Sequence, residues 1–250
     1  MKEVLLITGS SGIAAATARL WGADNPVFVV GVNADECKCL AKSVSTAGFA
    51  CADVRDETAV ADAVRACLDR FGRVDALFNV AGISARSAGD GPLHECTSAA
   101  WDLALEVNAK GTFLMCREVL RQWTKNKEKG VILNCGSVLA QRPQRDHFAT
   151  VGYAASKGTI EAMTRSAAAY YAPMGIRINV IAPALVDTPM SARARANPDI
   201  MEYVNHKQPL SQGLLSGDDV ARAACFLLHG DSSPITGQVI AVDGGWMVSE

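Results

Sequence analysis

Short β-branched runs alternating with longer helical patterns constrain this chain more than any other feature. Strands are expected at 4–8, 27–32, 49–52, 76–80, 131–135, 177–181 and 238–242, and helices near 12–22, 34–46, 57–71, 98–125, 153–172 and 218–229. Several of the strand runs are apolar on successive residues, as a sheet covered on both faces requires. Strand–helix–strand steps make right-handed crossovers, so the pattern implies an α/β fold with a doubly wound, mostly parallel, seven-stranded sheet and helices on both faces. No repeat, low-complexity tract or Pro/Gly-rich linker interrupts it, so residues 1–250 are read as one domain. The segment 182–216 lacks a clear element. It carries Pro183, Pro189, Pro198 and Pro209 around a short helix expected at 198–206, and its 188–213 part is expected to act as a lid.

Composition narrows the function classes. A formal net charge of −2 gives no broad basic surface, so neither nucleic acid nor an anionic membrane is an expected partner. Eight cysteines are spread without a Cys-x-x-Cys pair or a histidine cluster, which reads as reduced thiols in a cytoplasmic protein with no metal site. The uncharged run from Val4 to Ala18 loosely imitates a signal peptide. Glu3 and the Thr8-Gly9-Ser10-Ser11-Gly12 break spoil its apolar core, so secretion is not expected.

Two motifs carry chemistry. The first, Val4 to Ala14, reads as a strand, a glycine turn and the start of a helix. Glycines let the backbone approach a pyrophosphate, and the helix N-terminus offers free N–H groups and a positive dipole end. The second is Tyr153-Ala154-Ala155-Ser156-Lys157, which puts a phenol and an ammonium on one helix face about one turn apart. A free tyrosine has a pKa of about 10, a poor proton carrier near neutral pH. A neighbouring ammonium favours the phenolate, and such a pair suits a carbonyl–alcohol interconversion.

With these motifs the chain resembles the short-chain dehydrogenase/reductase family from Thr8 to Gly245, which implies a Rossmann-like sheet and an NAD or NADP cofactor. The family turn has three residues between its first two glycines. Here only Ser10 and Ser11 separate Gly9 from Gly12, and Ala14 stands where the last glycine is expected. By the same resemblance Gly9, Ser11, Gly12 and Ile13 would hold the pyrophosphate, and Asp53 and Val54 would meet the adenine. Asn79, Ala81 and Gly82 would line the nucleoside path, and Pro183, Val186 and Thr188 would grip the nicotinamide carboxamide. NAD enzymes of this fold usually place an acid at the end of the second strand, and NADP enzymes a basic group. This chain reads Gly31-Val32-Asn33 there, with Asp35 slightly later. The absence of Arg or Lys in that loop favours NAD(H) over NADP(H), since a 2′-phosphate needs a cation.

The resemblance also supplies a full catalytic tetrad in order: Asn108, Ser137, Tyr153 and Lys157. Tyr153 would exchange the proton, Ser137 would steady the substrate oxygen, and Lys157 would hold the ribose and assist Tyr153. Asn108 would mark a helix kink with a relay water. More residues separate Ser137 from Tyr153 than is common in the family, and the extra length, within 141–152, is expected to shape the substrate pocket. Arg86, Arg142, Arg145, His147, Arg193, Arg195 and His206 fall in the substrate-facing regions and read first as plain surface charge, with the alternative that one or two arginines meet an anionic or polyhydroxylated substrate; Phe148, Tyr203 and Trp246 are candidate walls or else core or subunit contacts. The expected function is hydride transfer between a nicotinamide cofactor and a small-molecule secondary alcohol or ketone, in a homotetramer or homodimer. Two alternatives are an NADPH-dependent 3-oxoacyl thioester reductase and a non-catalytic nucleotide-binding regulator on the same fold. A regulator would have no chemical need for Tyr153 and Lys157 together.

Overall fold

A computed structural model describes residues 2–250. Seven strands form one parallel sheet: β1 (Leu5–Thr8), β2 (Val27–Gly31), β3 (Ala47–Cys51), β4 (Ala76–Asn79), β5 (Gly130–Cys135), β6 (Ile176–Pro183) and β7 (Val239–Val242). Their order is β3-β2-β1-β4-β5-β6-β7, so the direction of winding reverses between β1 and β4. A crevice opens at such a reversal, beyond the carboxyl ends of the strands. Register brings Thr8 beside Val30 and Asn79, and Asn79 beside Asn134.

The helices are α1 (Gly12–Trp21), α2 (Ala34–Lys42), α3 (Glu57–Phe71), α4 (Ser98–Ala104), α5 (Gly111–Asn126), α6 (Val151–Tyr171), α7 (Ala192–Arg195), α8 (Pro198–Lys207) and α9 (Gly217–Leu228). Two apolar layers flank the sheet. Leu5, Ile7, Val29 and Leu133 pack beneath α1, α2 and α9, while Leu6, Phe28, Leu77 and Ile132 face α3 and α5. Residues adjacent along a strand enter opposite layers, which is why the strands read as continuous apolar runs.

The expected helix at 98–125 is divided. Leu105–Lys110 forms a π-helical turn between α4 and α5. Such turns insert one extra residue into the helical ladder and leave the sequence period almost unchanged, so apolar spacing alone does not signal them. Among the described residues no helix is long and apolar enough to cross a membrane, and no three His, Cys, Asp or Glu side chains are grouped to hold a metal ion.

Candidate active site

A cleft of about 650 Å³ lies along the carboxyl ends of the strands, within the range of small-molecule and cofactor sites. One part of its lining is the glycine turn. Gly9 and Gly12 have φ of 99° and 54°, in the left-handed region. A Cβ on Gly12 would stand 2.7 Å from the Thr188 methyl, so the turn lies directly against the 183–188 segment. Ala14 is fully buried, and its Cβ would be 3.2 Å from a Cβ built on Gly9. An alanine therefore fits where the family has glycine. Ser11 caps α1 without a side-chain hydrogen bond, and no acid occupies the first turn. The first N–H groups of α1 thus face the cleft unopposed, which suits a pyrophosphate.

The loop after β4 is held from below. The Thr8 hydroxyl oxygen accepts from Val80 N (3.0 Å) and Ala81 N (3.1 Å). Behind it, Asn79 Nδ2 donates to Asn134 Oδ1, and Asn134 Nδ2 donates to Thr164 Oγ1, both at 2.9 Å. This buried chain ties β4 and β5 to α6, and each bond is strengthened by exclusion of water.

Further along the cleft Arg55 forks onto Asp53, with Nε to Oδ2 at 2.9 Å and Nη2 to Oδ2 at 2.6 Å. That hydrogen bond is the chief cause holding the Asp53 carboxyl below the usual carboxylate range. Sequence reasoning missed Glu36. The Ser10 hydroxyl donates to Glu36 Oε2 at 2.6 Å, and Asn33 Nδ2 to Oε1 at 3.2 Å. An acid is thereby fixed against the glycine turn from the first turn of α2, one helical step beyond where a spacing rule looks for it.

Ser137, Tyr153 and Lys157, the three expected catalytic residues that reach the cleft, all line it. Ser137 lies two residues beyond β5 in extended backbone, and its Oγ accepts from Leu139 N at 3.2 Å. Its own hydrogen stays free to donate into the cleft. Lys157 is buried and donates from Nζ to the Cys135 carbonyl at 2.7 Å. The same Nζ lies 5.6 Å from the centroid of the Tyr153 ring. The Tyr153 hydroxyl makes no hydrogen bond to any described residue. Asp90 fixes the start of α6 by accepting from Gly152 N and Tyr153 N, each at 2.9 Å.

The expected cofactor residues Gly9, Ser11, Gly12, Ile13, Asp53, Val54, Ala81, Gly82, Pro183, Val186 and Thr188 all line this cleft. Asn33, Asn79 and Asn108 do not. Asn33 caps α2, its Oδ1 accepting from Asp35 N and Glu36 N, and Asn79 lies in the buried chain above. Asn108 sits in the π-helical turn, where it accepts from Ile83 N (2.8 Å) and donates to Ser156 Oγ (2.9 Å). It braces the loop after β4 against α6, and Gly82 packs closely on it: a Cβ there would meet Asn108 Oδ1 at 3.0 Å.

Of the seven basic candidates only Arg86 and Arg193 line the cleft. Arg195 pairs with Asp187 and Arg145 with Asp146, while Arg142 borders a separate shallow hollow beside Lys207. His206 is exposed on α8. Phe148 and Trp246 are walls, and Tyr203 packs behind both.

The family model described as "Enoyl-(Acyl carrier protein) reductase" matches residues 7–247. The chain is 35% identical to cis-4-hydroxycyclohexanecarboxylate dehydrogenase of Sinomonas cyclohexanicum, over 98% of this chain and 96% of that protein. The chain belongs to the short-chain dehydrogenase/reductase family. It is also 34% identical to 3β-hydroxysteroid dehydrogenase 1 of Eggerthella lenta, over 97% of this chain and 93% of that one. Among solved structures it resembles a 3-ketoacyl-(acyl-carrier-protein) reductase from Brucella melitensis complexed with NADH. There the TM-score is 0.87 at 31% identity, covering 98% of each chain. This short-chain dehydrogenase/reductase is therefore an oxidoreductase acting on CH–OH groups, with an NAD(P)-binding Rossmann-like fold.

Proposed function

We propose that this enzyme interconverts a secondary alcohol and a ketone with Tyr153 as the proton carrier. One observation carries the reading: an unengaged Tyr153 hydroxyl shares a cleft with Lys157, Ser137 and the glycine turn. When bound, the dinucleotide supplies the carbon that gives or takes the hydride. Tyr153 gives a proton to the substrate oxygen in reduction and removes it in oxidation. Ser137 donates to the same oxygen and stabilises charge developing there. Lys157, anchored on the Cys135 carbonyl, supports Tyr153 and would hold ribose hydroxyls. Asn108 acts as a positioning residue through Ile83 and Ser156.

NAD(H) is the proposed cofactor. Glu36, fixed by Ser10 and Asn33, could accept from a ribose 2′-hydroxyl and would repel a 2′-phosphate, while Arg55, the nearby cation on the cleft wall, is already engaged by Asp53. The substrate is proposed to be a ring or branched secondary alcohol. Both relatives above are named for hydroxylated ring compounds, and Ile83, Leu103, Val138, Leu185 and Met190 give this cleft an apolar wall. Residues 188–213 are proposed as the lid, since Thr188, Met190 and Arg193 already reach the cleft. A homodimer or homotetramer is supported by Trp101, Phe113 and Tyr170, large apolar side chains exposed on α4, α5 and α6. The eight free thiols fit a cytoplasmic protein.

Reduction of a 3-oxoacyl thioester is a second reading, favoured by likeness to the Brucella melitensis reductase. Fluorescence titration with NADH and NADPH, then turnover with 4-hydroxycyclohexanecarboxylate, a 3β-hydroxysteroid and acetoacetyl thioester, separates the two. The proposal expects tighter NADH and oxidation of a ring alcohol. Tighter NADPH with turnover of the thioester alone would favour the second reading, and binding of neither dinucleotide would defeat both.

A further inference from the structure

Two cleft arginines have no acidic partner. Arg86 follows the loop after β4, and its Nη2 donates to the carbonyls of His147 (3.0 Å) and Ala149 (3.2 Å). Arg193 comes from α7 on the opposite side of the chain's irregular segment, and its Nη2 donates to the same His147 carbonyl at 3.0 Å. One neutral oxygen therefore holds two guanidinium groups side by side. Among the described residues neither forms an ion pair, whereas Arg195 on the same short helix pairs with Asp187. The acid nearest in effect to Arg86 is Asp90, whose two oxygens are engaged by the N–H groups of Gly152 and Tyr153. Burial, and then the Arg193 charge, pull Arg86 below the usual guanidinium range. Two adjacent cations on the cleft wall, Arg86 half-buried and Arg193 exposed, share one neutral oxygen and repel each other until an anion joins them.

We propose that Arg86 and Arg193 form a clamp for a carboxylate on the substrate, so that the enzyme acts on hydroxy or oxo acids whose acid group is remote from the reacting carbon. The inference deepens the alcohol–ketone reading and rests on it. A planar carboxylate can take a hydrogen bond from each guanidinium while the carbon frame lies on the apolar wall formed by Ile83, Leu103 and Val138. Each arginine keeps its bond to the 147–149 backbone, which presets the fork before the ligand arrives. Arg193 also gives the clamp a moving half, because it enters from the segment proposed as the lid. An acid would close that segment where a neutral analogue would not.

Isothermal titration of the enzyme saturated with NADH tests the clamp directly, using cyclohexanecarboxylate and cyclohexanecarboxamide as unreactive probes. The carboxylate is expected to bind at least about tenfold more tightly, and added salt should narrow the gap. Arg193→Gln should remove most of that advantage, and Arg86→Gln the rest. Arg193 is exposed and makes one loop contact, so its variant keeps the test interpretable if Arg86→Gln misfolds. Equal binding of the two probes by wild type, or an advantage that survives Arg193→Gln, would overturn the clamp. Oxidation of neutral cyclohexanol with NAD is run in parallel. Turnover there without acid preference defeats the clamp alone; acid binding with no hydride transfer to any alcohol defeats the alcohol–ketone reading alone.

Discussion

Gly12 and Thr188 both line the cleft and pack against each other, so tightly that a Cβ on Gly12 would stand 2.7 Å from the Thr188 methyl. The two come from opposite ends of the chain, one from the turn after β1 and the other from the segment after β6. A family turn shortened by one residue thus rests on the strand segment expected to hold the nicotinamide.

Gly12→Ala should therefore fail for two reasons, the φ of 54° and the clash with Thr188. The left-handed backbone alone costs about 1–3 kcal/mol. NADH affinity, read by fluorescence titration, should fall by about tenfold or more. Thr188→Ser removes the offending methyl while keeping a hydroxyl, so the double variant should recover part of the loss. A Gly12→Ala protein with wild-type affinity would show that the turn is slacker than described.

Glu36 is the residue through which cofactor choice should be adjustable. Glu36→Gln removes the negative charge and keeps an acceptor oxygen for one of its two donors, Ser10 or Asn33. The ratio of NADPH to NADH dissociation constants should drop by several-fold, on the order of the 1–1.5 kcal/mol expected of one partly screened charge. An unchanged ratio would remove Glu36 from the cofactor argument.

Acid should weaken the start of α9. Asp219 accepts from the Ser216 hydroxyl at 2.7 Å and from Ser216 N at 2.9 Å, while Ser216 Oγ accepts from Asp219 N at 3.1 Å. The hydroxyl bond is the largest cause holding the Asp219 carboxyl below its usual range. A depressed carboxyl contributes stability that is complete above its unfolded value, about 3.9, and disappears as pH falls through the folded value. Asp219→Ala should cost about 1 kcal/mol at pH 7, with the gap to wild type shrinking as pH drops below that region. Urea unfolding across pH reads this, and a gap independent of pH would contradict it.

The parts of the fold with chemical punctuation were readable from residues. Helix α3 spans the expected 57–71 because Asp56 caps it, accepting from Thr58 N and Ala59 N, and Gly72 ends it at φ 75°. All seven strands stand near their expected places, since apolar runs buried on both faces leave the same trace wherever they pair. The π-helical turn left no trace in the apolar spacing; only the family resemblance, which expected a kink at Asn108, pointed to it. Glu36 was invisible because it reaches the glycine turn through space, by way of Ser10. The basic residues of the 141–150 and 188–213 segments looked equivalent in sequence. Only the path of the backbone decides that Arg193 enters the cleft while Arg195, two positions on, turns to Asp187.

The central claim is that the Tyr153 hydroxyl carries the proton. Tyr153→Phe deletes one oxygen and leaves the ring beside Lys157, so NADH should still bind with nearly wild-type affinity. Turnover of a ring alcohol, measured by NADH absorbance under saturating cofactor, should fall by about 10²–10⁴-fold. A Tyr153→Phe enzyme that retains full turnover would contradict the account.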